Sequence, residues 1–386
     1  MPASAPVVFY ISGHGFGHAS RDIEIINALH AREPALPIIV CTQVPEWLIQ
    51  RSVTHPVELR ELECDTGLQQ IDSLRLDVEA SLRRAAGYYS TFDQKVVVER
   101  DFLRACHAAA VLGDIPPLAF EAAAAAGLKS AAIGNFTWDW IYAEYSEHLG
   151  SYPDLLPTIR RAYAHASLAL RLPMHGGFAG LEHVTRDIPF VVRRSLRSPE
   201  EIRRALRLPD GPLLLLSFGG YGIRGVDPAV PDRLARYTLV ITDDASGREL
   251  WSARPSPASE VGSASAQGSN IVRISGEALR QAGCRYEDLV RAVDVVVTKP
   301  GYGIVSECIA NDTAMLYTSR GRFREYDQLV AGMQRYTRCE FIENGALLAG
   351  RWDPFVERLL AAPAPLERPR VDGAEVAAQM VLELLN

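Results

Sequence analysis

The sequence predicts an α/β protein made of two doubly wound, Rossmann-like halves. Three observations predict it. At 386 residues the chain exceeds what one hydrophobic core usually supports. Short apolar runs alternate with longer amphipathic stretches, the pattern of strand and helix units that build a parallel sheet, and the series occurs twice. A glycine-rich turn follows the first strand of each series, at residues 13–17 and 219–222.

In the first half, strands are expected at residues 7–12, 38–42, 109–112, 130–134 and 168–172. Between them, 21–31 reads as a helix because Ile23, Ile26 and Leu29 recur on one face, and the alanine-rich 118–126 as another that Gly127 ends. The second series places strands at 213–217, 239–242, 271–274, 293–298 and 314–317. The charged, helix-prone stretch 195–208 begins the second series, so the expected domains are 1–193 and 194–370, with a helix in 371–386 packing back on the junction. Residues 244–270 turn to Ser, Ala, Gly and Pro and predict a mobile surface loop, because such a composition buries little apolar surface.

Composition bounds the function. With 48% apolar and 23% charged residues the chain has the make-up of a folded enzyme or binding protein. A net charge of −7 and a pI near 5.8 supply no general attraction to nucleic acid or to an anionic membrane, so neither is an expected partner. Residues 1–6 carry no basic run and the apolar run 7–11 is too short for a signal peptide or a span, from which a cytoplasmic location is expected. The six cysteines are scattered, without a C-x-x-C pair or a histidine cluster, so they read as reduced, mostly buried thiols, and no metal site is expected.

The turn Ser12-Gly13-His14-Gly15-Phe16-Gly17-His18 runs from a strand into a helix, where glycines let a ligand approach the backbone. Its glycines do not have G-x-G-x-x-G spacing, and Cys41-Thr42-Gln43 stands where a ribose-binding acid belongs, which disfavours NAD. An imidazole can take the proton of an attacking hydroxyl, so His18 at the helix entrance is the candidate base, with His14, Gly15 and Phe16 on the acceptor side. The alternative is that both histidines only hydrogen-bond the loop. Arg21 is expected to anchor a carboxylate. Asp114, at a strand end, is a candidate partner for His18.

In the second half a buried strand runs into Lys299-Pro300-Gly301-Tyr302-Gly303, and 304–310 then reads as a helix. Amides and dipole at that helix start can hold a diphosphate and stabilise the charge on a departing nucleotide without a metal ion. Lys299, Gly301, Tyr302, Gly303 and Ser306 are therefore candidate donor-binding residues, and Glu307 a candidate for the ribose hydroxyls, with a solvated surface glutamate as the alternative. Gly219 and Gly220 either close over the phosphates or form only a turn. Arg324 and Glu325, in the polar stretch 320–328, offer groups for phosphate and sugar hydroxyls, or belong to a charged surface loop.

Taken together these residues resemble GT-B glycosyltransferases, among them the bacterial enzyme that adds N-acetylglucosamine in peptidoglycan precursor synthesis. There a G-x-x-G-H turn opens the acceptor domain and a Ser-Glu pair holds the donor uridine ribose; Gly17-His18 and Ser306-Glu307 stand in those places. Along nearly its whole length the chain is also similar to the N-terminal, glycosyltransferase-like half of plant L-arabinokinases, through residues 13–21, 65–77, 135–142, 170–173, 191–194 and 301–307. The sugar kinase half of that family has no counterpart within these 386 residues, so kinase activity is not expected of them. Within 135–142, Asn135 and Trp138 are candidates for the acceptor, Trp138 and Trp140 for an aromatic platform, and Asp139 for orienting a hydroxyl or the histidine; tryptophans buried in a core are the alternative. Asp65, Gln70 and Asp72 either line the acceptor side or sit in a solvated loop.

The resemblance implies a GT-B fold whose halves face each other across a cleft. It implies inverting, metal-independent transfer of a hexosyl or pentosyl group from a nucleotide diphosphate sugar, expected to be UDP-linked, to a hydroxyl of a small acceptor, with no other cofactor. The alternatives are a sugar-nucleotide epimerase of GT-B type and a non-catalytic sugar-nucleotide-binding protein.

Overall fold

The computed structural model describes residues 5–219, 222–242, 270–365 and 367–385. Gly220 and all of the loop predicted at 244–270 except Asn270 lie outside the described residues.

Two parallel sheets carry the fold. The first runs Glu58–Glu61, Ile38–Thr42, Val7–Ile11, Ala110–Asp114, Ser130–Gly134, Leu168–Arg171, Thr185–Asp187. The second runs Ile271–Ile274, Thr238–Thr242, Leu213–Ser217, Val295–Thr298, Ala314–Tyr317, Cys339–Phe341. In each, the chain enters at the middle, builds outward on one side, then crosses to the other, the strand order of a Rossmann half. The crossings fall between Val7–Ile11 and Ala110–Asp114 and between Leu213–Ser217 and Val295–Thr298. At such a switch point the loops at the strand C-termini part and leave a crevice for a ligand.

The central strands are unbroken apolar runs, VVFYI and VVVT among them, because helices cover both faces and every residue is buried. All ten strands expected from the sequence are present, with ends within two residues. Glu58–Glu61, Thr185–Asp187 and Cys339–Phe341 escaped the sequence reading. Each is an edge strand with one neighbour and little burial, so nothing selects an apolar run there.

A hairpin of Gln69–Asp72 and Arg75–Asp77 corrects one expectation. The polar stretch it belongs to is no solvated loop: Asp65 and Asp72 are buried. The hairpin also reaches the second half, where Ser73 donates from its amide to Gly222 O (3.3 Å) and from its hydroxyl to Phe218 O (2.5 Å).

One apolar cluster runs through both halves, joining Phe9 and Ile11 of the first sheet to Leu213, Leu215 and Val296 of the second, with Ala377 and Val381 of the last helix, Gly373–Leu385. That helix lies along Phe16–Arg32. The outer faces keep separate clusters around Tyr10, Phe120 and Tyr142 and around Leu214, Trp352 and Val356. Among the described residues no helix is long and apolar enough to cross a membrane. All six cysteines are free thiols, four of them buried.

Candidate active site

The helix Phe16–Arg32 begins inside the glycine-rich turn, which puts His18 in its first turn, at the crossing point of the first sheet. Asp114 ends the neighbouring strand, paired in register with Ile11. Their side chains meet: His18 Nδ1 lies 2.8 Å from Asp114 Oδ1, the carboxylate fully buried and the imidazole 11% exposed. Arg21 also brings a terminal nitrogen to 3.0 Å from this Nδ1, and in the tautomer whose Nδ1–H donates to Asp114, Nε2 is the basic nitrogen.

Arg21, one turn on, fulfils the expectation of a carboxylate anchor. Its Nε and one terminal nitrogen both donate to Asp114, and the other donates to Asn135 Oδ1 at 3.0 Å. Burial opposes the charge on Asp114, but the Arg21 guanidinium and His18 outweigh it and hold the carboxyl below the usual carboxylate range.

The second half meets this site directly. The helix Tyr302–Asn311 starts after Val295–Thr298. A Cβ on Gly303 would stand 3.5 Å from Gly17 Cα, so two helix N-termini touch backbone to backbone, and the Tyr302 ring lies 5.4 Å from the Arg21 guanidinium. The start of this helix thus stands against Gly17, the residue before His18. Ser306 donates to Gly303 O (2.9 Å), within its own helix.

Glu307 is buried, which removes the solvated reading. Its Oε1 takes Nε (2.7 Å) and a second nitrogen of Arg193. Burial raises its carboxyl above the usual range and Arg193 pulls it back. Arg193, 114 positions away, escaped the sequence reading of the site, because nothing in local spacing ties the two.

Lys299 also bridges the halves, donating to Gln70 Oε1 at 3.2 Å. Burial first, then neighbouring Arg320, depresses its ammonium well below the ordinary lysine value. Glu325 is buried and accepts from Arg320 (2.5 Å), while Arg324 lies over the Trp140 ring at 4.6 Å and donates to Trp140 O. Gly219 ends the described part of its loop with φ of +69°, left-handed backbone suited to glycine.

On the acceptor side Asp65 gathers three groups: the Ser12 hydroxyl (2.8 Å), the Trp138 indole N–H (2.7 Å) and His14, whose Nε2 is 2.9 Å away, within ion-pair reach though not aligned as a hydrogen bond. Trp138 is a core residue stacked on Tyr142, so the platform reading gives way to the core reading at this position. Gly67 lets His14 sit there, since a Cβ would fall 2.2 Å from the imidazole. Asp139 accepts from Arg160 Nε (3.0 Å) rather than from His18, whose carboxylate partner is Asp114. Gly15 and Phe16 flank the helix entrance, where Phe16 makes an edge contact with the partly exposed Trp47. Among the described residues no group of three or more His, Cys, Asp or Glu side chains is arranged to hold a metal ion.

No family model matches the sequence. L-arabinokinase of Arabidopsis thaliana is 29% identical over 381 residues, which are 97% of this chain and 34% of that protein, so the chain spans about a third of its relative. Among solved structures, the calicheamicin glycosyltransferase CalG4 superposes with a TM-score of 0.60 at 15% identity, covering 99% of this chain and 98% of that one. Arabidopsis thaliana UGT89C1 complexed with UDP-L-rhamnose superposes with a TM-score of 0.56 at 14% identity, covering 99% and 94%. The fold is GT-B. The superpositions run over nearly the whole chain, and the helix that carries His18 meets the Tyr302 helix start between its two halves.

Proposed function

We propose that the chain transfers a sugar from a nucleotide diphosphate donor, UDP-linked by preference, to a hydroxyl of a small acceptor. The observation that carries this is the meeting of a buried His–Asp pair with a helix N-terminus of the opposite half. His18 Nε2 accepts the acceptor's hydroxyl proton as its oxygen attacks the anomeric carbon. The bond from that carbon to the diphosphate breaks with inversion, and the charge on the leaving nucleotide falls on the amides from Gly301 to Gly303. Glu307, held by Arg193, stands one turn into the same helix, where ribose hydroxyls lie if the diphosphate sits on the amides. The structures matched include UGT89C1 with UDP and with UDP-L-rhamnose, which supports a UDP-sugar as the first donor class to try.

A thermal-shift panel of nucleotides and nucleotide sugars tests donor binding, because a ligand at 100 times its Kd adds about 2.7 kcal/mol to the folded state. Stabilisation by UDP or a UDP-sugar is expected; none from any nucleotide sugar rejects the donor site. His18→Ala is expected to cut turnover about 10²–10⁴-fold while leaving that stabilisation intact. Unchanged turnover removes His18 as the base.

A further inference from the structure

Asp22 is the buried acid that the transfer chemistry leaves unused. It stands one helical turn beyond His18, 1% exposed, and neither carboxyl oxygen finds a donor among the described residues. An ionised carboxylate is strongly disfavoured in such a place. Its carboxyl faces that of Asp114, with the Arg21 guanidinium beside both. His18 closes the cluster on the cleft side, and the buried Tyr302 hydroxyl is the titratable group facing it from the other half.

Two carboxylates in one dry site do not both stay ionised. Arg21 grips Asp114 through two nitrogens, so the charge settles on Asp114 and the proton on Asp22. Burial first, then the charge of Asp114, pushes the Asp22 carboxyl well above the usual range, with Arg21 pulling the other way.

We propose that Asp22 is a neutral acid that donates its O–H to Asp114 and so sets how strongly Asp114 backs His18; it is a positioning residue, and its role rests on the reading of His18 as the base. With Asp22 neutral, Arg21, Asp114 and a neutral His18 sum to zero charge. Proton capture by His18 then leaves one positive charge facing the departing diphosphate. An ionised Asp22 would instead leave the resting cluster at minus one, and proton capture by His18 would leave no positive charge facing the diphosphate.

Three measurements on the full chain, none needing donor or acceptor, test this. Infrared difference spectra between the parent and Asp22→Asn at neutral pH are expected to show the loss of one protonated-carboxyl band; no lost band overturns the proposal. Between the ordinary aspartate value, about 3.9, and its raised value, Asp22 holds a proton in the folded state that the unfolded chain has released, so parent stability falls as pH rises. Asparagine carries no such proton, and the Tm of Asp22→Asn relative to the parent is expected to climb from pH 4 to pH 8. A pH-independent difference counts against a neutral acid. Asp22→Leu removes the donor, and the His18 Nδ1–H proton resonance is expected to move downfield as its hydrogen bond to Asp114 strengthens, with Asp22→Asn close to the parent. An identical His18 Nδ1–H resonance in all three proteins leaves Asp22 as filler. Absence of sugar transfer with every donor would sink the proposed function without moving any of these readouts.

Discussion

The densest chemistry in the molecule is concentrated on four side chains from one helix turn and one strand end. Arg21 and Asp114 are both buried, so the pair is a poor target for single substitutions: removing the guanidinium strands a carboxylate without its counter-charge. Arg21→Ala is expected to cost about 3–5 kcal/mol at neutral pH in chemical denaturation. The sign of its pH dependence follows from Asp114, whose carboxyl is held below the usual range. A depressed acid adds stability above the ordinary value, about 3.9, that is lost as pH falls through the depressed one. The gap between Arg21→Ala and the parent is therefore expected to shrink on acidification below pH 4; a gap that widens there would contradict the pairing. His18 and Asp114 were legible as candidate site residues, and Arg21 as a carboxylate anchor, because they stand beside a glycine turn or at a strand end. Asp22 was not. A single acid on the inward face, between His18 and Ile23, reads like any other helix carboxylate until burial is known.

The elements divide in the same way between what periodicity reveals and what contact decides. Central strands such as Leu213–Ser217 announced themselves because burial on both faces permits only apolar residues. The hairpin around Ser73 stayed hidden, since its partners are backbone carbonyls of a loop more than 140 positions away. The junction of the helices Phe16–Arg32 and Tyr302–Asn311 is of this second kind, and it makes a prediction. Gly303 faces Gly17 at ordinary contact distance for a methyl group, so Gly303→Ala is expected to fold and bind UDP as the parent does. Gly303→Leu adds a side chain where two backbones touch and is expected to push the helix starts apart, abolishing the UDP-induced thermal shift while Tm without ligand falls only slightly. A full UDP shift in Gly303→Leu would mean that the amides beside His18 are not the phosphate site.

At the scale of the whole molecule the question is whether two Rossmann halves behave as two proteins. Their architecture allows it, since each sheet has an outer cluster of its own. The inner faces argue otherwise. A single apolar cluster passes from Phe9 through the last helix to Leu215, and that helix, although it ends the chain, lies along the first helix of the first half. Gly373 N donates to Phe190 O at 3.0 Å, so the returning chain also binds the segment that leads into the second half. Shared burial couples unfolding: neither half can open without exposing apolar surface of the other. Calorimetry on the parent is expected to show one transition whose van't Hoff and calorimetric enthalpies agree. Ala377, fully buried on the last helix, is the place to break that coupling, because a charged side chain there would be driven into the apolar cluster that the halves share. Ala377→Arg is expected to split the transition in two, with the upper one close to the parent's. A single transition merely displaced to lower temperature would show that the halves are held together by the cleft contacts of Ser73, Lys299 and Gly303 rather than by the last helix.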